Sequence, residues 1–229
     1  MRSKFIITGD SWSQGEWDGY PTDYRITHGG VQQYLVEAGY TVKNVGRGGY
    51  NNNESLTALI AGLSNDNYTH CIFFFTDPLR QTTYEEFSTT LPSVIIKNHV
   101  NHLLESLDNL NKETGIKIVI VGGCAKLIVK DYMPTNIDLT VPSLCELLVP
   151  GFIDNEFMNS REWNDHWLKL ETKCNFEHKK EIYNVYNNAG VRFDLWKKRK
   201  DLFWPDGLHA NRLGHKILFD YLLDNLNLN

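Results

Sequence analysis

Five short apolar runs punctuate the chain, at Lys4 to Thr8, Thr41 to Val45, His70 to Thr76, Lys117 to Val121 and Val191 to Leu195. Most of their residues are β-branched or aromatic, and several runs end directly on Gly or Asp, the pattern of strands buried on both faces. Between them apolar residues recur at helical spacing: Val31, Tyr34, Leu35 and Ala38; Leu56, Leu59, Ile60 and Leu63; Ile96, Val100, Leu103, Leu104 and Leu107. Gly39 and Gly115 stand just past two of these stretches, where a left-handed cap is wanted. The alternation of strand and helix predicts an α/β fold with a five-stranded parallel sheet and helices on both faces.

Such sheets bind ligands at the carboxyl ends of their strands. Ser11, Gly46 to Gly49, and Thr76-Asp77 all follow predicted strands at that edge, so three loops are expected to converge there. The stretch of about 124–160 breaks the alternation, with Pro134, Pro142 and Pro150 interrupting an apolar segment that contains Leu144, Leu147, Leu148, Phe152 and Ile153. It is expected to be an insertion over one end of the sheet, as a substrate lid, a packed excursion or an oligomer contact. Glu162 to Asn188 reads as one or two surface helices.

At 229 residues the chain is expected to form one domain, 1–229, around a single sizeable core. Its formal charge of -5 and pI near 5.9 argue against nucleic-acid binding, which needs a basic face to replace phosphate counterions. The apolar residues before Gly9 are too few for a signal-peptide core, and no run reaches membrane-spanning length. The expectation is a soluble, unprocessed, cytoplasmic protein. Cys71, Cys124, Cys145 and Cys174 show neither C-x-x-C spacing nor scaffold density, and they read as reduced thiols. No metal-ligand spacing appears among the histidines, and Gly46, Gly48 and Gly49 do not form a dinucleotide fingerprint, so neither metal nor cofactor is expected.

Chemistry is concentrated at the two ends of the sequence. Gly9-Asp10-Ser11 closes the first strand, and Asp206-Gly207-Leu208-His209 precedes the last predicted helix. A serine hydroxyl needs a base to take its proton and a carboxylate to hold that base in one tautomer, and these motifs supply all three residue types. The longer string Trp204-Pro205-Asp206-Gly207-Leu208-His209-Ala210-Asn211-Arg212-Leu213-Gly214-His215 places Asn211 to cap the helix, with His215 expected at the surface or behind the site. Trp12, Trp17 and Trp204 adjoin the motifs in sequence and could form a flat apolar wall. Arg47 and Arg80 lie on the same loops; they could hold an anionic substrate group or pair locally with Asp77, Asp10 or other acids.

The chain resembles the SGNH hydrolases, also called GDSL-type esterases and lipases. Gly9-Asp10-Ser11 looks like their first motif block, Asn44-Val45-Gly46-Arg47-Gly48-Gly49 their second, and Asp206-Gly207-Leu208-His209 their last. The resemblance implies a flavodoxin-like three-layer α/β/α sandwich, with Ser11 as nucleophile, His209 as base and Asp206 as orienting carboxylate. It also implies an oxyanion hole built from the N–H groups of Ser11 and Gly49. A third donor would come from the family's block-three asparagine, but here Phe75-Thr76-Asp77-Pro78 stands in its place. Thr76 could donate through its hydroxyl, or an amide of Asn51 or Asn52 could fill the position. The expected activity is hydrolysis of a small acyl ester or of O-acetyl groups on a glycan, with Trp12, Arg47, Asp77, Arg80 and Trp204 as substrate-binding residues. A catalytically weakened carbohydrate-binding or assembly protein on the same fold is the alternative.

Overall fold

The computed structural model describes residues 3–18, 25–64, 66–76, 78–81, 86, 89–90, 92–122, 137–141, 143–150, 199–204 and 209–226. Strands β1 (Lys4–Thr8), β4 (Thr41–Asn44), β5 (His70–Phe75), β6 (Lys117–Gly122) and β7 (Leu139–Val141) form one parallel sheet in the order β4-β1-β5-β6-β7. Counted along the sheet's own strands this is the doubly wound order 2-1-3-4-5, with β1 at the switch point between β4 and β5. A two-stranded antiparallel ribbon, β2 (Glu16–Asp18) and β3 (Arg25–His28), stands apart from the sheet.

The apolar alternation within the strands sorts the core into two layers. Phe5, Ile7, Ile72, Phe74, Val119, Val121 and Val141 face one side, which is covered by helices α2 (Gly30–Glu37), α5 (Leu144–Leu148) and α6 (Arg212–Leu226). Ile6, Cys71, Phe73, Phe75, Ile118 and Ile120 face the other, covered by α3 (Asn52–Leu63) and α4 (Pro92–Thr114). Every residue of β5 is buried, because this central strand has sheet on both edges and helices on both faces. The three-layer α/β/α arrangement is therefore produced by period-2 patterning in the strands meeting period-3.6 patterning in the helices.

The helix ends follow from their terminal residues. Gly39 at φ 87 ends α2 in a Schellman motif, with Tyr40 N–H donating to Leu35 O (3.0 Å) and Gly39 N–H to Val36 O (2.9 Å). Gly115 at φ 70 closes α4 through one bond to Asn111 O (2.7 Å). Asn51 and Glu54 form a reciprocal capping box at the start of α3. Ile60, read from its spacing as part of that helix's inner face, is instead 54 % exposed, since Leu59 and Gly62 already fill the contact with the sheet.

The fifth strand is Leu139–Val141, inside the stretch expected to be an insertion, and α5 follows it into the core through Leu144, Cys145 and Leu148. The described residues 137–141 and 143–150 of that stretch thus build the sheet edge and its covering layer. Val191 to Leu195, read as a strand, and Glu162 to Asn188, read as surface helices, lie outside the described residues. No described helix is long and apolar enough to cross a membrane.

Candidate active site

Gly9, at φ 139, is where β1 leaves the sheet; a Cβ there would lie 2.5 Å from Phe74 Cβ and 2.8 Å from Phe74 O, so only glycine lets the chain cross β5 this closely. Asp10 then caps the one-turn helix α1 (Ser11–Gln14), accepting from Trp12 N–H through Oδ1 (3.0 Å). Ser11 is the first helical residue. Its hydroxyl oxygen stands 2.8 Å from His209 Nε2, across 198 residues of sequence.

His209 sits on the return limb of a short hairpin closed by the Phe203↔Ala210 bridge and by Trp204 N–H donating to His209 O (2.9 Å). Leu202, Phe203 and Ala210 anchor that hairpin in the core. Asn211 caps α6, its Oδ1 accepting from Leu213 N–H (2.9 Å) and Gly214 N–H (3.1 Å), while its Nδ2 donates to Asp201 O (2.7 Å). The imidazole is thereby carried by a rigid element, as a base must be. Asp206 and Asp77 lie outside the described residues.

The second loop is locked to the first. Arg47 N–H donates to Gly9 O (3.0 Å), Asn44 Nδ2 donates to Ser13 O (2.7 Å), and Asn44 Oδ1 accepts from Gly46 N–H (2.9 Å). A Cβ on Gly46 would collide with Ser13 Oγ and lie 2.9 Å from Gly9 O, so this glycine is required by space. Gly49 has φ 86 and open space where a Cβ would point. Among the described residues neither Ser11 N–H nor Gly49 N–H has an acceptor, leaving two backbone donors free beside the hydroxyl-bearing loop.

The third loop supplies something different from what its residue types suggest. Thr76 Oγ donates to Asp10 Oδ2 (2.9 Å), which commits its one hydroxyl hydrogen to the scaffold. Asn52, 2 % exposed, bridges the Thr76 backbone, with Oδ1 accepting from Thr76 N–H (2.9 Å) and Nδ2 donating to Thr76 O (2.8 Å). Asn52 thus holds loop two to loop three, and the Thr76 hydroxyl holds loop three to loop one. Asn51 accepts from Glu54 N–H through Oδ1 (2.9 Å), and its Nδ2 has no acceptor among the described residues. Arg80 donates through Nη1 to Asp10 Oδ2 (2.9 Å) and Tyr50 O (3.2 Å), the local pairing rather than an open cation. Arg47 is exposed, and its guanidinium has no partner among the described residues.

The tryptophans divide by depth. Trp12 is 6 % exposed and belongs to the core, although its ring centroid is 6.2 Å from that of His209. Trp17 is half-buried on β2, its centroid 5.9 Å from His209, and its Nε1 donates to Ser11 O (3.1 Å). A Cβ on Gly48 would meet its ring at 3.5 Å, so Trp17 spans from the imidazole to the glycine loop. Trp204 is half-buried.

Behind the site, His215 is 1 % exposed rather than at the surface. It packs against Gly30 and Gly15, where the first helical turn of α6 has no room for solvent. Burial holds its pKa down at about 4, so the ring is neutral at physiological pH. Glu16 was not singled out by its spacing, yet it is 5 % exposed and accepts from Arg212 N–H (2.6 Å), Nε (2.8 Å) and Nη2 (3.2 Å). Nothing in the local sequence links two residues 196 positions apart. Burial raises the pKa of Cys71, an inert core thiol. No group of three or more metal-binding side chains occurs among the described residues.

No protein-family model matches the chain, and no curated protein does. Among solved structures it is similar to the psychrotrophic esterase EstA from Pseudoalteromonas sp., at 15 % identity, covering 98 % of this chain and 97 % of that one with a TM-score of 0.49. It is also similar to a lipase/acylhydrolase from Enterococcus faecalis, at 17 % identity over 99 % of this chain and 95 % of that one, TM-score 0.43. A third is LAE5, an alpha/beta hydrolase enzyme from the metagenome of Lake Arreo in Spain, at 15 % identity over 99 % and 96 %, TM-score 0.45.

Proposed function

We propose that this chain is a serine ester hydrolase of the SGNH type, acting through an acyl-enzyme on Ser11. The observation that carries the reading is the 2.8 Å separation of Ser11 Oγ and His209 Nε2, a hydrogen bond between the ends of the chain. A binding protein has no need of that contact. With the imidazole proton on Nδ1, Nε2 accepts the Ser11 hydroxyl proton as Oγ attacks the ester carbonyl carbon. Nε2 then returns this proton to the departing alcohol oxygen, and a water deprotonated by the same nitrogen releases the carboxylic acid. Asp206, three residues before His209, is assigned the orienting carboxylate.

The oxyanion of each tetrahedral intermediate rests on the N–H groups of Ser11 and Gly49, neither of which has an acceptor among the described residues. The Asn51 amide is assigned the third place, because Thr76 and Asn52 are committed to Asp10 and to the Thr76 backbone. A missing donor of this kind costs about 3 kcal/mol of transition-state stabilisation. The substrate is assigned as a small acyl ester or an O-acetylated glycan, with Trp17 as the flat wall and Arg47 as the cation beside the Gly49 loop.

Hydrolysis of p-nitrophenyl acetate tests the reading. Turnover by the wild type and loss of it in Ser11→Ala supports it. Equal turnover by both, or none by the wild type, rejects it; retention on acetylated glycans without turnover would instead favour a binding role.

A further inference from the structure

Helix α6 begins three residues after His209, so whatever holds its first turn also sets where the imidazole stands relative to Ser11. Three of its first amides are capped locally or by the chain itself: Leu213 and Gly214 donate to Asn211 Oδ1, and His215 N–H donates to Asn211 O (3.0 Å). The amide of Arg212, at the first helical position, has no such partner nearby. It donates instead to Glu16 Oε2 at 2.6 Å. Glu16 lies five residues after Ser11, directly beyond the α1 turn and Gly15, on a ribbon strand whose partner residue is His28. One carboxylate therefore ties the loop of the nucleophile to the helix of the base.

We propose that Glu16 is a positioning residue for catalysis, fixing the Ser11–His209 distance by gripping the N-terminus of α6. The proposal rests on the serine-hydrolase reading above. The carboxylate is 5 % exposed and takes two further bonds from the Arg212 side chain, whereas that side chain is 59 % exposed. The buried bond to the backbone is the constraint, and the guanidinium chiefly neutralises a charge that burial would otherwise make unfavourable. An aliphatic side chain at 16 would leave the Arg212 amide without an acceptor and let the two loops shift independently. Displacements of about 1 Å between reacting groups cost on the order of 100-fold in rate.

The experiment compares kcat and KM for p-nitrophenyl acetate in the wild type, Glu16→Gln, Glu16→Ala, Arg212→Met and Arg212→Pro, at a temperature where circular dichroism shows each fully folded. Proline is well tolerated at the first helical position and deletes the backbone donor together with the guanidinium, while methionine deletes the guanidinium alone, so the difference between the two isolates the backbone bond. A positioning role predicts kcat about 10- to 100-fold lower in Glu16→Ala and Arg212→Pro, with KM within about threefold, and near-normal kcat in Arg212→Met and Glu16→Gln, whose amide oxygen can still accept. Wild-type kcat in folded Glu16→Ala overturns the proposal. Should that variant fail to fold, the Arg212 pair decides: equal kcat for proline and methionine overturns it, and loss confined to proline supports it. Failure of the hydrolase reading is distinguishable, because then the wild type itself shows no Ser11-dependent turnover.

Discussion

Asp10 joins the first and third active-edge loops, with Arg80 carrying the link on to Tyr50 O in the second, and its removal should be the most informative stability perturbation. Its Oδ1 caps α1 through Trp12 N–H, and its Oδ2 accepts from both Thr76 Oγ and Arg80 Nη1, with the residue only 4 % exposed. In Asp10→Ala the lost cap costs about 1 kcal/mol. The stranded Thr76 hydroxyl, itself 6 % exposed, adds about 1 kcal/mol. The Arg80 pair contributes less than about 1 kcal/mol, because the guanidinium is one-third exposed and keeps Tyr50 O as an acceptor. Together the expected loss is about 2 to 3 kcal/mol, a substantial share of a domain's net stability. Asp10→Asn retains the cap and should lose only about 1 to 2 kcal/mol. Urea unfolding followed by tryptophan fluorescence measures both, and an Asp10→Ala midpoint shift worth under about 0.5 kcal/mol, the scatter of an ordinary surface substitution, would refute the junction.

Three further outcomes follow from the same geometry. Thr76→Val should leave kcat within about threefold and lower stability by about 1 kcal/mol, since the hydroxyl serves Asp10; a drop near 100-fold, the scale of a lost oxyanion donor, would return Thr76 to that role. Gly46→Ala forces a methyl against Ser13 Oγ and Gly9 O, and should destabilise by about 1 to 3 kcal/mol and lower activity by moving the Gly49 loop; unchanged melting and turnover would contradict the packing. His215 has a folded pKa of about 4 against 6.5 unfolded, so the unfolded chain binds the extra proton between those values. Stability contributed by the neutral ring is present above pH 6.5 and lost as the pH falls to about 4, by up to about 3 kcal/mol; His215→Phe should flatten that part of the pH–stability curve.

The large elements were legible because their residues answer to one environment each. β1, β5 and β6 are continuous apolar runs buried on both faces, and α2, α3 and α4 carry stripes closed by Gly39, a capping box and Gly115. The short elements were not. Leu139–Val141 and the ribbon strands Glu16–Asp18 and Arg25–His28 have three or four residues each, too few to show a period, and only their partners define them. Ser11 and His209 could be suspected from residue type and motif, but their contact is a property of the sheet order and of a hairpin docked 198 residues away. The same is true of the polar partners. Thr76 looked like a donor to substrate and proves to serve Asp10, and Glu16 carried no local signal because its acceptor role depends on a helix end 196 residues distant.

The most direct test of the central claim is covalent. Intact-protein and peptide mass spectrometry after exposure to a fluorophosphonate should find one adduct, on Ser11, with His209→Ala reacting far more slowly and Ser11→Ala not at all. An unmodified wild type, or an adduct on a residue other than Ser11, would contradict it.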